Sequence, residues 1–307
     1  MRLLAAAPRA LTPLALAAAA LAIVVPWRTL ADHSDLLLAL LVLATALGIS
    51  AGELRGLREH RAAVVVLSIG PLVALAAIAW LVGRAFDADV RDGLLAVGLS
   101  SSEVATVGLV ALAGADATIA LGAVTGSLVL AAVAGPLAIG VLSGEAGHAG
   151  SGGAAGLLVR FALVVIAPLI IGVAIRTLRP QIAAVDDERD GVAALAVVAL
   201  VYAALSGTSG AHGLGAALIA ALVFLALSGA LGELWRRRTA PSAAAVPGAL
   251  AIGMRDFAVA AALAAQAFGP RAAAVPGVYG VVMLVAGAIT ASRLAAARRS
   301  DPGARPV

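Results

Sequence analysis

The sequence predicts an all-α polytopic membrane protein. It has about ten transmembrane helices in two inverted five-helix repeats, with helices 4 and 9 broken and crossing. Three observations carry this reading. The 307-residue chain is 62% hydrophobic and only 12% charged, with a mean hydropathy of +1.07, whereas soluble domains carry roughly 25% charged residues. Ten mostly apolar stretches can be placed, each close to the roughly 20 residues that cross a bilayer. Two of these stretches, in different halves of the chain, are interrupted by polar residues at matching positions.

The stretches run over about 10–27, 34–51, 61–83, 92–113, 117–142, 154–176, 191–209, 211–234, 246–268 and 271–294. The first follows Arg2 and Arg9 and is closed by Pro26, Trp27 and Arg28. It lacks a clean small-residue cleavage site and reads as a retained span rather than a signal peptide. The seventh and eighth are the least sharply divided, with only residues 206–213 between them. Abundant Ala and Gly suit closely packed membrane helices. Trp27, Trp80 and Trp235 stand near span ends, as interfacial aromatics do. Pro136, Pro168 and Pro276 are expected to kink their helices. The run Asp186-Asp-Glu-Arg-Asp190 reads as a solvated loop.

All 21 basic residues are Arg, and most fall between the apolar stretches. Ten spans put Arg2, Arg9, Arg55, Arg58, Arg61, Arg176, Arg179, Arg189, Arg236, Arg237, Arg238, Arg293, Arg298, Arg299 and Arg305 on one side. Arg28, Arg84, Arg91, Arg160 and Arg271 fall on the other. Fifteen against five predicts both termini in the cytoplasm and a multi-pass protein of the cell (inner or plasma) membrane. The calculated pI of about 10.8 therefore reflects topology, not a nucleic-acid surface. The absence of Cys excludes disulfides and thiolate metal sites, and four scattered His make no metal motif. No cofactor is expected, and no enzyme chemistry.

The halves are expected as 10–143 and 154–296, joined by a Gly-rich linker over 144–153 and followed by a cytoplasmic tail at 297–307. Val124-Thr-Gly-Ser-Leu-Val-Leu-Ala-Ala-Val-Ala-Gly135 resembles Val278-Tyr-Gly-Val-Val-Met-Leu-Val-Ala-Gly-Ala-Ile289. The same shift of 154 residues brings Ser101 onto Arg255 and Ser102 onto Asp256. Five spans per half makes the halves inverted, the arrangement of secondary transporters whose sites lie where broken helices meet.

The first break is Gly98-Leu-Ser100-Ser101-Ser102-Glu103-Val-Ala-Thr106 and the second Gly253-Met-Arg255-Asp256. Ionisable residues inside a span are costly and point to function. Glu103, Arg255 and Asp256 are expected to surround a central cavity, with Glu103 as the partner of Arg255 and either carboxylate as a proton carrier. The alternative is a purely structural buried salt bridge. Ser100, Ser101, Ser102 and Thr106 are candidate ligands that can instead return hydrogen bonds to their own helix. Gln266 is a candidate vestibule residue. Asp116 reads as a helix cap, Tyr202 and Tyr279 as intramembrane or interfacial aromatics, and His212 as a loop residue.

Ala251-Ile-Gly-Met-Arg-Asp256, followed by Gln266, Phe268, Pro270, Pro276 and Tyr279, resembles the bile acid:sodium symporter family, which is related to the arsenite efflux permeases. Ala111-Leu-Ala-Gly-Ala-Asp116 resembles a second motif of that family. The resemblance implies ten helices, a panel and a core, and sodium-coupled movement of organic anions. The family's ninth-span Glu, Gln and Asn fall on Ala251, Arg255 and Asp256. Its fourth-span Ser-Asn pair falls on Thr106 and Val107, and a Gly-Gly position on Ser102 and Glu103. Sodium needs oxygen ligands, and a guanidinium repels it. Conventional two-sodium coupling is therefore expected to be absent or much altered, with proton coupling through Glu103 or Asp256 left open. Arsenite efflux is disfavoured without a Cys. The expected partners are the bilayer and a small organic anion. The competing classes are a non-transporting receptor or structural protein of the same fold, and a cation/proton exchanger.

Overall fold

The structure is a computed structural model and describes residues 10–142, 153–206 and 213–299. Regular structure among these residues is helical apart from one isolated antiparallel bridge. In chain order the α-helices are α1 (Leu11–Val24), α2 (Arg28–Asp32), α3 (Ser34–Ala46), α4 (Ala51–Gly56), α5 (Arg61–Gly83), α6 (Ala88–Leu99), α7 (Ala105–Leu112) and α8 (Ala117–Leu142). There follow α9 (Gly153–Phe161), α10 (Ala167–Leu178), α11 (Asp186–Ser206), α12 (Leu214–Thr239), α13 (Ala245–Gly253), α14 (Phe257–Ala267) and α15 (Pro270–Arg299). Six stretches are long and apolar enough to cross a membrane, and α1, α3 and α14 are shorter apolar helices. The ten expected spans each coincide with one helix or an interrupted pair, which makes this an all-α polytopic membrane protein.

Two pairs, α6 with α7 and α13 with α14, are single spans broken in the middle. The helices before the breaks end at Leu99 and Gly253, 154 residues apart, the shift found in the sequence. Behind each pair the chain turns at a glycine with positive φ, Gly114 at 67° and Gly269 at 98°. That region is costly for residues with a Cβ, so both turns depend on glycine. The linker (144–153) lies almost wholly outside the described residues, as do His212 and the tail from residue 300 on.

Helices α1, α3, α10 and α11 pack on one another, and α5, α6, α8 and α12–α15 pack around the breaks. Small residues set the spacing in the second group. A Cβ on Gly98 would stand 2.6 Å from the Leu75 carbonyl oxygen, and one on Gly232 2.4 Å from that of Ala249. Outward-facing Leu, Ile and Val are widely exposed on α5, α10 and α12, as expected of surfaces that meet lipid.

One local expectation changes. The acidic run at 186–190 is not a loop but the first turn of α11. Carboxylates there meet the positive end of the helix dipole, and Asp186 pairs with Arg176 and Arg189, each at 3.0 Å. Helices α8 and α15 each carry their proline inside, Pro136 and Pro276. At Pro168 the span also carries a π-helical turn, Ala162–Ile166, immediately before it. Such turns accommodate a residue that the α-helical ladder cannot.

Candidate functional site

The two breaks pair with each other. The Glu103 amide donates to the Met254 carbonyl at 3.1 Å, and the Asp256 amide donates to the Ser101 carbonyl at 2.8 Å. Between these bonds Ser102 stands directly opposite Arg255 in an antiparallel bridge. Helix breaks leave backbone groups that must find partners in an apolar medium; here each break supplies them to the other.

Side chains extend the lock. The Ser102 hydroxyl donates to the Ala251 carbonyl (2.9 Å), while its amide donates to Ser127 Oγ (3.0 Å). The Ser228 hydroxyl reaches the Gly253 carbonyl at 3.2 Å. Tyr279 Oη accepts from the Arg255 amide at 3.0 Å. Asp256 caps α14, accepting from Ala258 (2.9 Å) and Val259 (3.0 Å), and the Ser101 hydroxyl donates to it at 3.4 Å. The Ser100 hydroxyl returns to the Val97 carbonyl at 2.8 Å, closing the end of its own helix.

The expected Glu103–Arg255 ion pair does not form among the described residues. The cause is the pleat of the paired segments. Successive side chains in extended backbone point to opposite faces, so Ser101, Glu103 and Asp256 share one face while Ser102 and Arg255 share the other. Glu103 therefore interacts with Asp256, a like charge. Arg255 is completely buried, and its Nε, Nη1 and Nη2 have no hydrogen-bond partner. Glu103 Oε2 and Thr106 Oγ1 are also buried and unpartnered. A cavity of about 10 Å³ beside Asp256, lined in part by Thr45 and Thr125, separates the acidic face from α3 and α10.

Gln266 is not at the crossing. It lines a larger cavity of about 320 Å³ with Asp32, Asp35 and Arg160, and its Nε2 donates to Asp35 at 2.7 Å. Asp35 also binds Arg160 at 2.5 Å, so one carboxylate ties α3 to α9 and to the end of α14. A second cavity of about 280 Å³ lies between α12, α13 and α15 and reaches Gly253 and Met254. The cavities flank the crossing: one touches α15 at Ala273 and the other at Thr290, about 25 Å further along the helix axis.

Sequence reasoning gathered Ser100, Ser101, Ser102, Glu103, Thr106, Arg255 and Asp256 into one region, and the structure brings them together. It passed over Ser127, Ser228 and the bond from the Arg255 amide to Tyr279, and it gave Asp35 and Arg160 no role in a cavity. Ser127 and Ser228 look like ordinary helix residues until the breaks are paired. Asp116 does cap, accepting from the Thr118 amide at 2.8 Å, and lies 3.5 Å from His60.

Two broken spans, crossed and locked around buried charge within a polytopic helical bundle, define a membrane transporter fold. The chain belongs to the sodium bile acid symporter family, whose model matches residues 35–213, more than half of its length. The matched stretch includes the first break and ends before the second. No curated protein matches the chain.

Proposed function

We propose that this transporter of the bile acid symporter type carries a small organic anion by alternating access, with the crossing as its site. The halves 10–143 and 154–296 act as inverted repeats, and both termini face the cytoplasm of a cell in whose inner or plasma membrane the protein resides. The observation that carries the anion is Arg255. A buried guanidinium with five N–H donors and no acceptor is strongly destabilising, and an anionic group that reached it would relieve that cost through charge-assisted hydrogen bonds.

Conventional two-sodium coupling does not suit these residues. Arg255 offers donors where a cation needs oxygen, and Ala251 offers a methyl group. The crossing holds two carboxylates and one guanidinium, so it is one positive charge short of balance. A proton on Glu103 or Asp256 supplies it and makes proton coupling the favoured form. The placement of Glu103 and Asp256 on one face, with neither hydrogen-bonded to Arg255, supports a second reading, exchange of a cation for protons.

Flux into proteoliposomes separates these readings. The proposal expects uptake of an organic anion that is independent of sodium and lost in Arg255→Ala. Glu103→Gln should change the pH dependence of uptake, and an unaltered profile removes Glu103 as the proton carrier. Proton release on adding sodium would support the exchanger. Ligand binding without flux would point to a receptor.

A further inference from the structure

The 280 Å³ cavity is not part of the interface between the two helix groups. Its walls come from α12, α13 with the adjoining Met254, and α15, with Leu250, Met283 and Leu294 among them. Its floor is backbone: a Cβ placed on Gly229 would meet nothing within 4 Å, and one placed on Gly253 would meet only the Gly229 Cα, at 3.8 Å. Ala226 and Gly229, which line the cavity on α12, are themselves exposed, so this flank meets the bilayer. At the mouth stand Glu233 and Arg236, joined at 2.7 Å. Arg237 shares Glu233 at 2.7 Å. One carboxylate against two guanidinium groups leaves the mouth with a net positive charge.

We infer that this crevice holds one anionic phospholipid of the surrounding bilayer, with its headgroup at Arg236 and Arg237 and an acyl chain running down to Gly253 and Met254. Arginines at a membrane surface attract acidic lipid by about 1 kcal/mol each, and bilayer lipid is present at saturating local concentration. The chain reaches the second break itself, since Met254 supplies the carbonyl that accepts from Glu103. Occupancy braces α13 against α12 and α15, so the lipid tunes how readily the crossing moves.

The test exchanges the purified protein into nanodiscs of phosphatidylcholine alone or mixed with phosphatidylglycerol, followed by native mass spectrometry of retained lipid. One phosphatidylglycerol should be retained in preference to phosphatidylcholine. Retention should fall about tenfold or more when Arg236 and Arg237 are both changed to Gln. Gly229→Leu, whose Cβ meets nothing within 4 Å and whose side chain fills the floor, should abolish it, while Arg271→Gln on the opposite side should leave it unchanged. Circular dichroism confirms folding, and Arg236→Gln alone serves if the double variant does not fold. Equal retention of the two lipids, retention in Gly229→Leu, or full competition by soluble glycerol phosphate would overturn the inference. The regulatory role rests on the carrier reading and is tested separately: uptake should rise with phosphatidylglycerol in the natural chain and not in Gly229→Leu. Retention without this effect would overturn the tuning and leave the lipid site standing, and loss of retention would leave the carrier reading untouched.

Discussion

Ser102 and Arg255 stand directly opposite each other where the two broken spans cross, with their side chains on one face of the paired backbone. Flanking amide–carbonyl bonds fix this register on both sides. The same register turns Glu103 and Asp256 to the other face. The site is therefore split into a cationic side and an acidic side by two residues of extended chain, and the consequences of that split can be measured.

Arg255→Met should make the protein more stable and less active. Methionine fills similar volume without a charge, and replacing buried charged groups by packed apolar ones is often neutral or stabilising, by about 1 to 4 kcal/mol. Thermal unfolding in detergent should show an unchanged or raised midpoint, while anion uptake is lost. A lowered midpoint would mean that the guanidinium is held by partners in the folded protein and serves the structure.

The hydroxyls at the crossing should differ in cost according to what each leaves behind. Ser127→Ala removes the acceptor of the Ser102 amide and strands a buried donor, a loss of about 1–3 kcal/mol. Ser100→Ala removes a hydroxyl that donates to carbonyls of its own segment, Val97 at 2.8 Å and Ser101 at 3.5 Å, strands no buried donor, and should cost no more than about 1 kcal/mol. Chemical denaturation of the two variants side by side checks the ranking, and equal losses would contradict the proposed lock.

These contrasts show what could be read from the sequence and what could not. The ten spans, the two breaks and the shift of 154 residues follow from hydropathy and from polar residues inside apolar runs, which local pattern reports well. The partner of Arg255 did not follow. Opposite charge suggested Glu103, but the pairing register decides which side chains share a face, and register is set by backbone bonds between segments some 150 residues apart. Ser127 and Ser228 were invisible for the same reason: each becomes significant only through the backbone group it meets. The acidic run at 186–190 misled because charge density marks loops and helix N-termini alike.

Helix spacing near the second break should depend on one glycine and not on its neighbour one turn away. Gly232→Ala forces a methyl group to 2.4 Å from the Ala249 carbonyl. That pushes α12 from α13 and should cost about 1–3 kcal/mol, as overpacking does. Gly229→Ala meets nothing within 4 Å and should be neutral, or gain up to about 1 kcal/mol from helix propensity. Unfolding midpoints of the two variants provide the comparison. Equal effects would mean that α12 and α13 are not in close backbone contact at Gly232.

The chain has no cysteine, so single introduced thiols can report the orientation and the motion together. Ala265 lines the 320 Å³ cavity, which is on the non-cytoplasmic side in the proposed topology. Gly56, exposed and with nothing within 4 Å of its Cβ position, is on the cytoplasmic side in the same proposal. In intact cells an impermeant maleimide should label Ala265→Cys and should label Gly56→Cys only after permeabilisation. The reverse pattern would invert the topology. Alternating access adds a second expectation: a transported anion should change the rate at which Ala265→Cys is labelled and leave Gly56→Cys unaffected, because Gln266, next to Ala265, ties the moving α14 to Asp35 and that bond must break and re-form as the helix groups separate. A rate indifferent to every transported anion would mean that the Asp35–Gln266 contact is permanent and that the two helix groups do not part on that side.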